Sequence, residues 1–150
     1  MAIEIKLLGS NDVGILLKVA RGVFDDPVDP GMTDRFLNDP GHHLVVAIED
    51  GLVVGFVSAV RYIHPDKRRP ELWINEVAVA PTHQGRGLGR DLLRSMLETG
   101  RSNGCGEAWV LTDRSNIRAM RLYSSGGGTE SDHVMFTFRL DNKTKDVDQP

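Results

Sequence analysis

The chain has 150 residues, of which 40% are hydrophobic, so it is long enough for one domain with a packed core. Its 18 basic and 21 acidic side chains give a net charge of -3, which excludes a dedicated nucleic-acid binder because no cationic field would attract the phosphate backbone. A single cysteine excludes an intrachain disulfide, and neither a signal-peptide pattern nor an apolar run of membrane-spanning length is visible, so we expect a soluble cytoplasmic protein without membrane or nucleic-acid partners.

The first part of the chain predicts a strand, a helix and an acidic loop. Residues 2–8 alternate as a strand does, and Ser10 is a suitable N-cap for the helical spacing of apolar residues over 13–24. Prolines then forbid a continuous helix until a short helical stretch over 33–37. The intervening loop carries the acids Asp25, Asp26 and Asp29.

The middle of the chain predicts a hairpin followed by a further strand. Residues 44–48 and 52–60 are β-rich, and the Asp-Gly dipeptide between them is a strong signal for a tight hairpin turn. A charged connection that begins near His64 leads to a strand over 71–79.

The last part of the chain predicts two helices and two strands. An amphipathic helix over 87–101 precedes a buried strand over 108–111 and a short helix over 116–123. A final strand over 134–140 follows a turn of three glycines, and residues 141–150, with one apolar side chain, are expected to be a disordered tail.

A glycine-rich loop joins the strand over 71–79 to the helix that follows it. The loop reads Gln84-Gly85-Arg86-Gly87-Leu88-Gly89-Arg90. Glycines let backbone N–H groups approach a ligand closely, and the helix N-terminus and the arginines add positive charge, so the loop predicts a pyrophosphate site. It is not a P-loop, since no lysine follows the glycines, and a dinucleotide fingerprint would need glycine in place of Arg90.

These residues resemble the acetyl-CoA-binding signature of the GNAT superfamily of N-acetyltransferases, Gln/Arg-x-x-Gly-x-Gly/Ala. The resemblance continues through Asn116, Ala119 and Tyr123, which are similar to the superfamily's second motif. It covers residues 2–140 and implies an α/β fold with one twisted mixed sheet of six to seven strands, splayed at the fourth and fifth strands, and about four helices. We therefore assign residues 1–140 to a single N-acetyltransferase domain.

The resemblance also implies a cofactor, acetyl-CoA, and a place for it. Strand backbone would hold pantetheine, the glycine-rich loop would hold pyrophosphate, and Arg114 and Arg121 would add polar contacts. The cofactor-binding residues expected in this way are Val77, Ala78, Val79, Gln84, Gly85, Arg86, Gly87, Leu88, Gly89, Arg90 and Asn116.

Two residues are candidates for catalysis. By the resemblance, Tyr123 would protonate or hydrogen-bond the departing sulfur, and Glu76 would take the proton of the amine, directly or through water. Other interpretations stay open: Tyr123 as an amphipathic core residue, and Glu76 as an exposed edge residue or an ion-pair partner of Arg61 or Arg69.

The charges are divided unevenly along the chain. Residues 22–83 hold ten acids and five bases, whereas residues 84–121 hold seven bases and four acids. An acidic acceptor half favours a polyamine-like or aminosugar cation, although solvated loop charges would give the same pattern. The expected acceptor-binding residues are Asp25, Asp26, Asp29, His64, Glu76 and Asp113.

At finer detail, residues 24–30, 64–67, 71–77 and 107–113 resemble the aminoglycoside 3-N-acetyltransferase subgroup, which implies a role in antibiotic resistance. The alternatives are a protein, peptide or polyamine N-acetyltransferase, and a non-catalytic acyl-CoA-binding module. The five histidines show no metal-ligand spacing, so we expect no metal. The resemblance also suggests a homodimer.

Overall fold

The computed structural model describes residues 2–141, which form one mixed sheet flanked by helices. The strands are β1 (Glu4–Leu7), β2 (His42–Glu49), β3 (Leu52–Tyr62), β4 (Glu71–Val79) and β5 (Glu107–Val110). The α-helices are α1 (Pro30–Asn38), α2 (Leu88–Ser102) and α3 (Ile117–Ser125), and two 3₁₀ helices cover Ser10–Leu17 and Pro81–His83. The sheet order is β1-β2-β3-β4-β5, antiparallel except for the parallel pair β4-β5.

The predicted fold class is confirmed, with one difference in the sheet. Three α-helices and the 3₁₀ helix Ser10–Leu17 make the four helices expected. The sheet has five strands within residues 2–141, however, instead of six or seven.

The β2-β3 hairpin turns on the dipeptide that the sequence singled out. Asp50 and Gly51 have φ angles of 51° and 78°, the two left-handed conformations that a type I′ turn requires. Asparagine, aspartate and glycine tolerate this region best. The turn therefore needs only two residues, and Glu49 pairs directly with Leu52.

The predicted helix over 13–24 is shorter than expected and has a different type. A 3₁₀ helix covers Ser10–Leu17, and Ser10 lies inside it rather than capping it. The next residues are drawn to the sheet: the Val53 N–H donates to Lys18 O at 2.9 Å, and the Ala20 N–H donates to Val53 O at 2.8 Å. Pairing with β3 ends the helix before Phe24.

The predicted strand over 134–140 is not formed in the monomer. Phe136, Phe138 and Leu140 are 78%, 81% and 94% exposed. Their alternation suits a strand, but a strand needs a neighbour, and in the part of the chain that is described the edge strand β5 pairs only with β4. The predicted tail, residues 141–150, lies outside the described residues apart from Asp141.

The core lies between the sheet and α2. Leu92 and Met96 of α2 are fully buried, as is Leu72 of β4. Leu72 packs so closely on Gly100 that a Cβ there would lie 2.9 Å from its Cδ2. Between residues 2 and 141, no helix combines the length and the apolar character needed to cross a membrane.

Strand β4 carries two irregularities that shape the rest of the molecule. Ala59 pairs with Ile74 and Ser58 pairs with Glu76, so Asn75 is the extra residue of a β-bulge. The pairing of β4 with β5 ends at Ile74, and the last residues of β4 have no partner strand on that side. The predicted splay of the fourth and fifth strands is therefore confirmed.

Candidate active site

A cleft of about 610 Å³ opens where β4 separates from β5. It is bounded by the end of β4, the glycine-rich loop and α3. Every residue expected to bind the cofactor lines it except Arg86. The lining members of that set are Val77, Ala78, Val79, Gln84, Gly85, Gly87, Leu88, Gly89, Arg90 and Asn116.

The glycine-rich loop has the backbone that its glycines allow. Gly85 and Gly87 have φ angles of 81° and 79°, in the left-handed region, and Gly87 is the N-cap of the 15-residue helix α2. A Cβ at either position would meet nothing within 4 Å, so it would project into open space. The backbone at the positive end of α2 is consequently accessible to an anion.

Side chains on both flanks hold this loop in place. Gln84 donates from Nε2 to Val79 O at 3.1 Å and accepts a hydrogen bond from Arg118. His83 Nε2 lies 2.8 Å from Glu49 Oε1, and His83 Nδ1 lies 2.8 Å from Thr82 Oγ1. The hydrogen bond from His83 lowers the pKa of the Glu49 carboxyl.

This cleft is basic. Arg90, Arg118 and Arg121 line it, and no acid does. Arg114, also expected here, lies outside the lining and pairs instead with Glu130 at 3.6 Å and with Asp132. A cleft of this charge, at a helix N-terminus, suits a polyphosphate.

Tyr123 reaches the cleft from α3. The side chain is half-buried and packs against the hydrophobic core, as the core interpretation expects, but it also lines the cleft. Burial raises the pKa of the Tyr123 phenol, and the Glu76 carboxylate raises it further. The phenol therefore keeps its proton at neutral pH and can donate it.

A second cleft, of about 360 Å³, adjoins the bulge of β4. It is lined by side chains of the 3₁₀ helix, the following loop, α1 and strands β2 to β4. The full lining is Leu16, Phe24, Asp25, Asp26, Pro27, Val28, Asp29, Met32, Thr33, Phe36, Leu44, Phe56, Ser58 and Glu76. Four of these residues are acids and none is basic.

Glu76 lies in this second cleft without a cationic partner. Burial, and to a smaller extent the Asp25 carboxylate, raises the pKa of Glu76, although the side chain remains accessible from the cleft. Among residues 2–141 it forms no ion pair. Arg61 donates instead to Pro40 O at 2.7 Å, and the Arg69 side chain packs beside Gly106.

The other expected acceptor-binding residues divide into two groups. Asp25 and Asp26 line the second cleft, as does Asp29. Asp29 also caps α1, because its Oδ1 accepts from the Met32 N–H at 3.0 Å. His64 and Asp113 line neither cleft.

Sequence reasoning missed the aromatic wall of the second cleft. Phe24 and Phe56 stack with ring centroids 4.2 Å apart and an interplanar angle of 17°. It also missed the anchor between His83 and Glu49, which are 34 positions apart. Neither pair has a local pattern, because both contacts depend on how the loop and the hairpin fold onto the sheet.

The two clefts meet on β4, where Glu76 and Val77 are consecutive. On one side lie a basic, glycine-rich surface and a protonated phenol. On the other lie a carboxylate of raised pKa and further acids. The arrangement can bind a polyphosphate and a cation at once and can move a proton on either side of their junction.

Comparison with known proteins assigns this architecture to a family. The model of the acetyltransferase (GNAT) family matches residues 16–127. The N-alpha-acetyltransferase RimI of Mycobacterium tuberculosis is 36% identical over 107 residues, which are 70% of this chain and 63% of that protein. The chain thus spans less than two thirds of the length of this curated relative.

Solved structures share the fold at lower identity. An aminoglycoside acetyltransferase from an uncultured soil metagenomic sample, in complex with sisomicin, superposes with a TM-score of 0.81 at 22% identity and covers 93% of this chain and 97% of its own. A ribosomal-protein-alanine N-acetyltransferase from Brucella melitensis gives a TM-score of 0.71 at 20% identity, with coverage of 93% and 100%.

Proposed function

This chain belongs to the acetyltransferase (GNAT) family, and we propose that it transfers acetyl from acetyl-CoA to a primary amine of a small polycation, an aminoglycoside at its 3-N position. Acetyl-CoA, the cofactor of the family, supplies the acetyl group as a thioester. The basic cleft fits its pyrophosphate, and the unpaired end of β4 leaves strand backbone available to its pantetheine arm.

The observation that carries the acceptor class is the charge of the second cleft. Asp25, Asp26, Asp29 and Glu76 line it without any basic side chain. Such a surface attracts a cation with several ammonium groups and repels an anion. The apolar wall of Phe24 and Phe56 offers a surface for the carbon face of a ring.

The chain's own residues account for the proton movements of the transfer. Glu76 takes a proton from the attacking ammonium, so that the nitrogen lone pair forms the new C–N bond while the C–S bond breaks. Tyr123 gives its phenolic proton to the departing sulfur, and the second proton that the nitrogen loses on becoming a neutral amide restores the phenol. The raised pKa of Glu76 makes its carboxylate a better base, and the raised pKa of Tyr123 keeps the phenol protonated until a thiolate departs beside it.

A second acceptor class is favoured by one comparison. RimI, the relative from Mycobacterium tuberculosis, is an N-alpha-acetyltransferase by name. A basic peptide would also suit an acidic cleft, so peptide N-acetylation is the alternative that the first experiment has to separate.

That experiment follows thiol release from acetyl-CoA by the purified full chain, with sisomicin, spermine or a basic peptide as acceptor. We expect turnover with sisomicin and a product acetylated at the 3-N amine, located by NMR. Turnover only with the peptide or with spermine would overturn the aminoglycoside acceptor. Binding of coenzyme A without thiol release from any acceptor would overturn the enzymatic proposal and identify a binding module.

The anchor between His83 and Glu49 predicts a specific loss of cofactor affinity. Replacing Glu49 with alanine removes the hydrogen bond that holds the residue before the loop, so we expect the Kd of coenzyme A to rise about 3- to 10-fold with kcat nearly unchanged. Isothermal titration calorimetry measures the Kd. Glu49→Gln, which can still accept from His83, should restore most of the affinity; an equal loss of kcat would contradict this role.

We also propose that the protein is cytoplasmic and forms a homodimer. The dimer is supported by the exposed apolar segment over residues 134–140 together with the open edge of β5. The double variant Phe136→Ser and Phe138→Ser should be monomeric in size-exclusion chromatography with light scattering. Ile63→Ser, which alters a side chain that is 79% exposed elsewhere, should leave the dimer intact. A monomeric parent protein would contradict the proposal.

A further inference from the structure

A cluster of aromatic and charged side chains lies at the opposite end of β4 from the cofactor cleft, and neither cleft includes it. We call it the distal platform, and it consists of Tyr62, His64, Glu71, Trp73 and Trp109. The Trp73 and Trp109 rings stack with centroids 5.1 Å apart and an interplanar angle of 8°. Trp73 remains 38% exposed.

Hydrogen bonds fix the polar half of the distal platform. Trp109 Nε1 donates to the Tyr62 hydroxyl at 2.7 Å, and that hydroxyl donates to Glu71 Oε1 at 3.1 Å. His64 Nε2 lies 2.9 Å from the other carboxylate oxygen of Glu71. The carboxylate is thus held in one orientation beside an exposed indole.

The bulge of β4 places the distal platform on the same face of the sheet as Glu76. Trp73 pairs with Val60 and Glu76 pairs with Ser58, and alternate residues of β3 share a face. In a regular strand Trp73 and Glu76, three positions apart, would face opposite sides. The additional residue Asn75 brings them to one side.

The spacing of residues along β3 gives the distance between Glu76 and the distal platform. Val60 lies two residues from Ser58, and Tyr62 lies four residues from it, which correspond to about 7 and 13 Å of strand. One molecule of two or three linked rings can therefore occupy the acidic cleft and the distal platform together.

The chemistry of the distal platform suits a cation. An exposed indole attracts an ammonium group, and the Glu71 carboxylate, which Tyr62 and His64 hold in place, adds a negative charge beside it. The carboxylates of Glu71 and Glu107 contribute to the raised pKa of the Tyr62 phenol, although burial is its main cause, so two acids lie near this hydroxyl.

We propose that the distal platform is a second acceptor subsite, which binds another ammonium-bearing ring of the same polycation whose first amine is acetylated beside Glu76. This subsite rests on the proposed function. Its occupant is part of the acceptor, not a second protein, because both places carry carboxylates and lie on one face within reach of one small molecule.

The test compares a long acceptor with a short one. Sisomicin has rings enough to reach the distal platform, whereas 2-deoxystreptamine, a single ring, reaches only the acidic cleft. For Trp73→Leu and for Glu71→Gln we expect the KM of sisomicin to rise about tenfold with kcat nearly unchanged. The kcat/KM for 2-deoxystreptamine should not change. Ile63→Ala, on the neighbouring exposed position, is the matched control.

Each other outcome has a defined meaning. An equal loss for both acceptors, or no change for either, in both variants would overturn the subsite while leaving the transferase intact. A change of association state in light scattering, with the KM of sisomicin unaltered, would also overturn it. If the parent protein turns over neither aminoglycoside but acetylates spermine, the aminoglycoside acceptor fails, and the same comparison between spermine and a short monoamine decides the subsite separately.

Discussion

Replacement of Glu76 with glutamine is expected to lower kcat/KM for the amine acceptor by about 10²-fold or more, because it removes the base that takes the proton of the ammonium. Glutamine keeps the shape of the side chain, so the cleft and its aromatic wall should remain. Steady-state thiol release measures the effect. The Kd of coenzyme A should stay within about twofold, since the cofactor cleft contains no part of this side chain.

The pH dependence tests the same role independently. Below its raised pKa, Glu76 is protonated and cannot accept a proton, so kcat/KM should fall on the acidic side of the profile. The Asp25 carboxylate contributes to that pKa, and Asp25→Asn should therefore move the acidic limb to lower pH. An acidic limb that survives unchanged in Glu76→Gln would assign the base to another group.

The second large effect is expected at Gly87. Its φ angle of 79° is one that a β-branched residue rarely adopts, and a side chain there would project into the space from which a phosphate approaches the helix. Gly87→Val should raise the Kd of coenzyme A by about tenfold or more, because hydrogen bonds to a charged group each contribute about 1.5 to 3 kcal/mol.

The chain supplies a matched control for this substitution. Gly104, beyond the other end of α2, has a φ angle of 80°, and a Cβ at this position would likewise meet nothing within 4 Å. Gly104→Val should therefore suffer a similar backbone penalty, about 1 to 2 kcal/mol, without altering the Kd. Equal losses of cofactor affinity in both variants would show that strain, and not contact with phosphate, explains the effect.

The sequence predicted best those parts of the molecule that depend on neighbouring residues. The turn at Asp50 and Gly51 and the loop from Gln84 to Arg90 are local, since φ angles and a helix N-terminus specify them. The predicted end of the first helix was wrong because Val53, more than thirty positions away from the start of that helix, forms hydrogen bonds with Lys18 and Ala20. Tertiary pairing overrode a helical pattern there.

In the candidate site, the glycine-rich motif predicted the cofactor-binding residues well. The count of charges predicted the acceptor-binding residues less well. The residues of the glycine-rich loop lie together because they are consecutive in the chain, and contacts with Glu49 and Arg118 then hold the loop in place. Charge and position singled out Asp29, which lines the acidic cleft, but also His64 and Asp113, which line neither cleft. The stacked Phe24 and Phe56 were overlooked, because an aromatic pair 32 positions apart leaves no periodic signal.

The bulge at Asn75 makes this protein far more sensitive to the length of β4 than to its composition there. The Asn75 side chain is exposed, so many substitutions at this position should be tolerated. Deleting the residue would leave the Glu76 side chain on the same face, opposite Ser58, but it would remove the bulge and with it the local bend and twist of β4 where the strand parts from β5. Natural variation at this point of the chain should therefore accept replacements freely and almost never accept a gap.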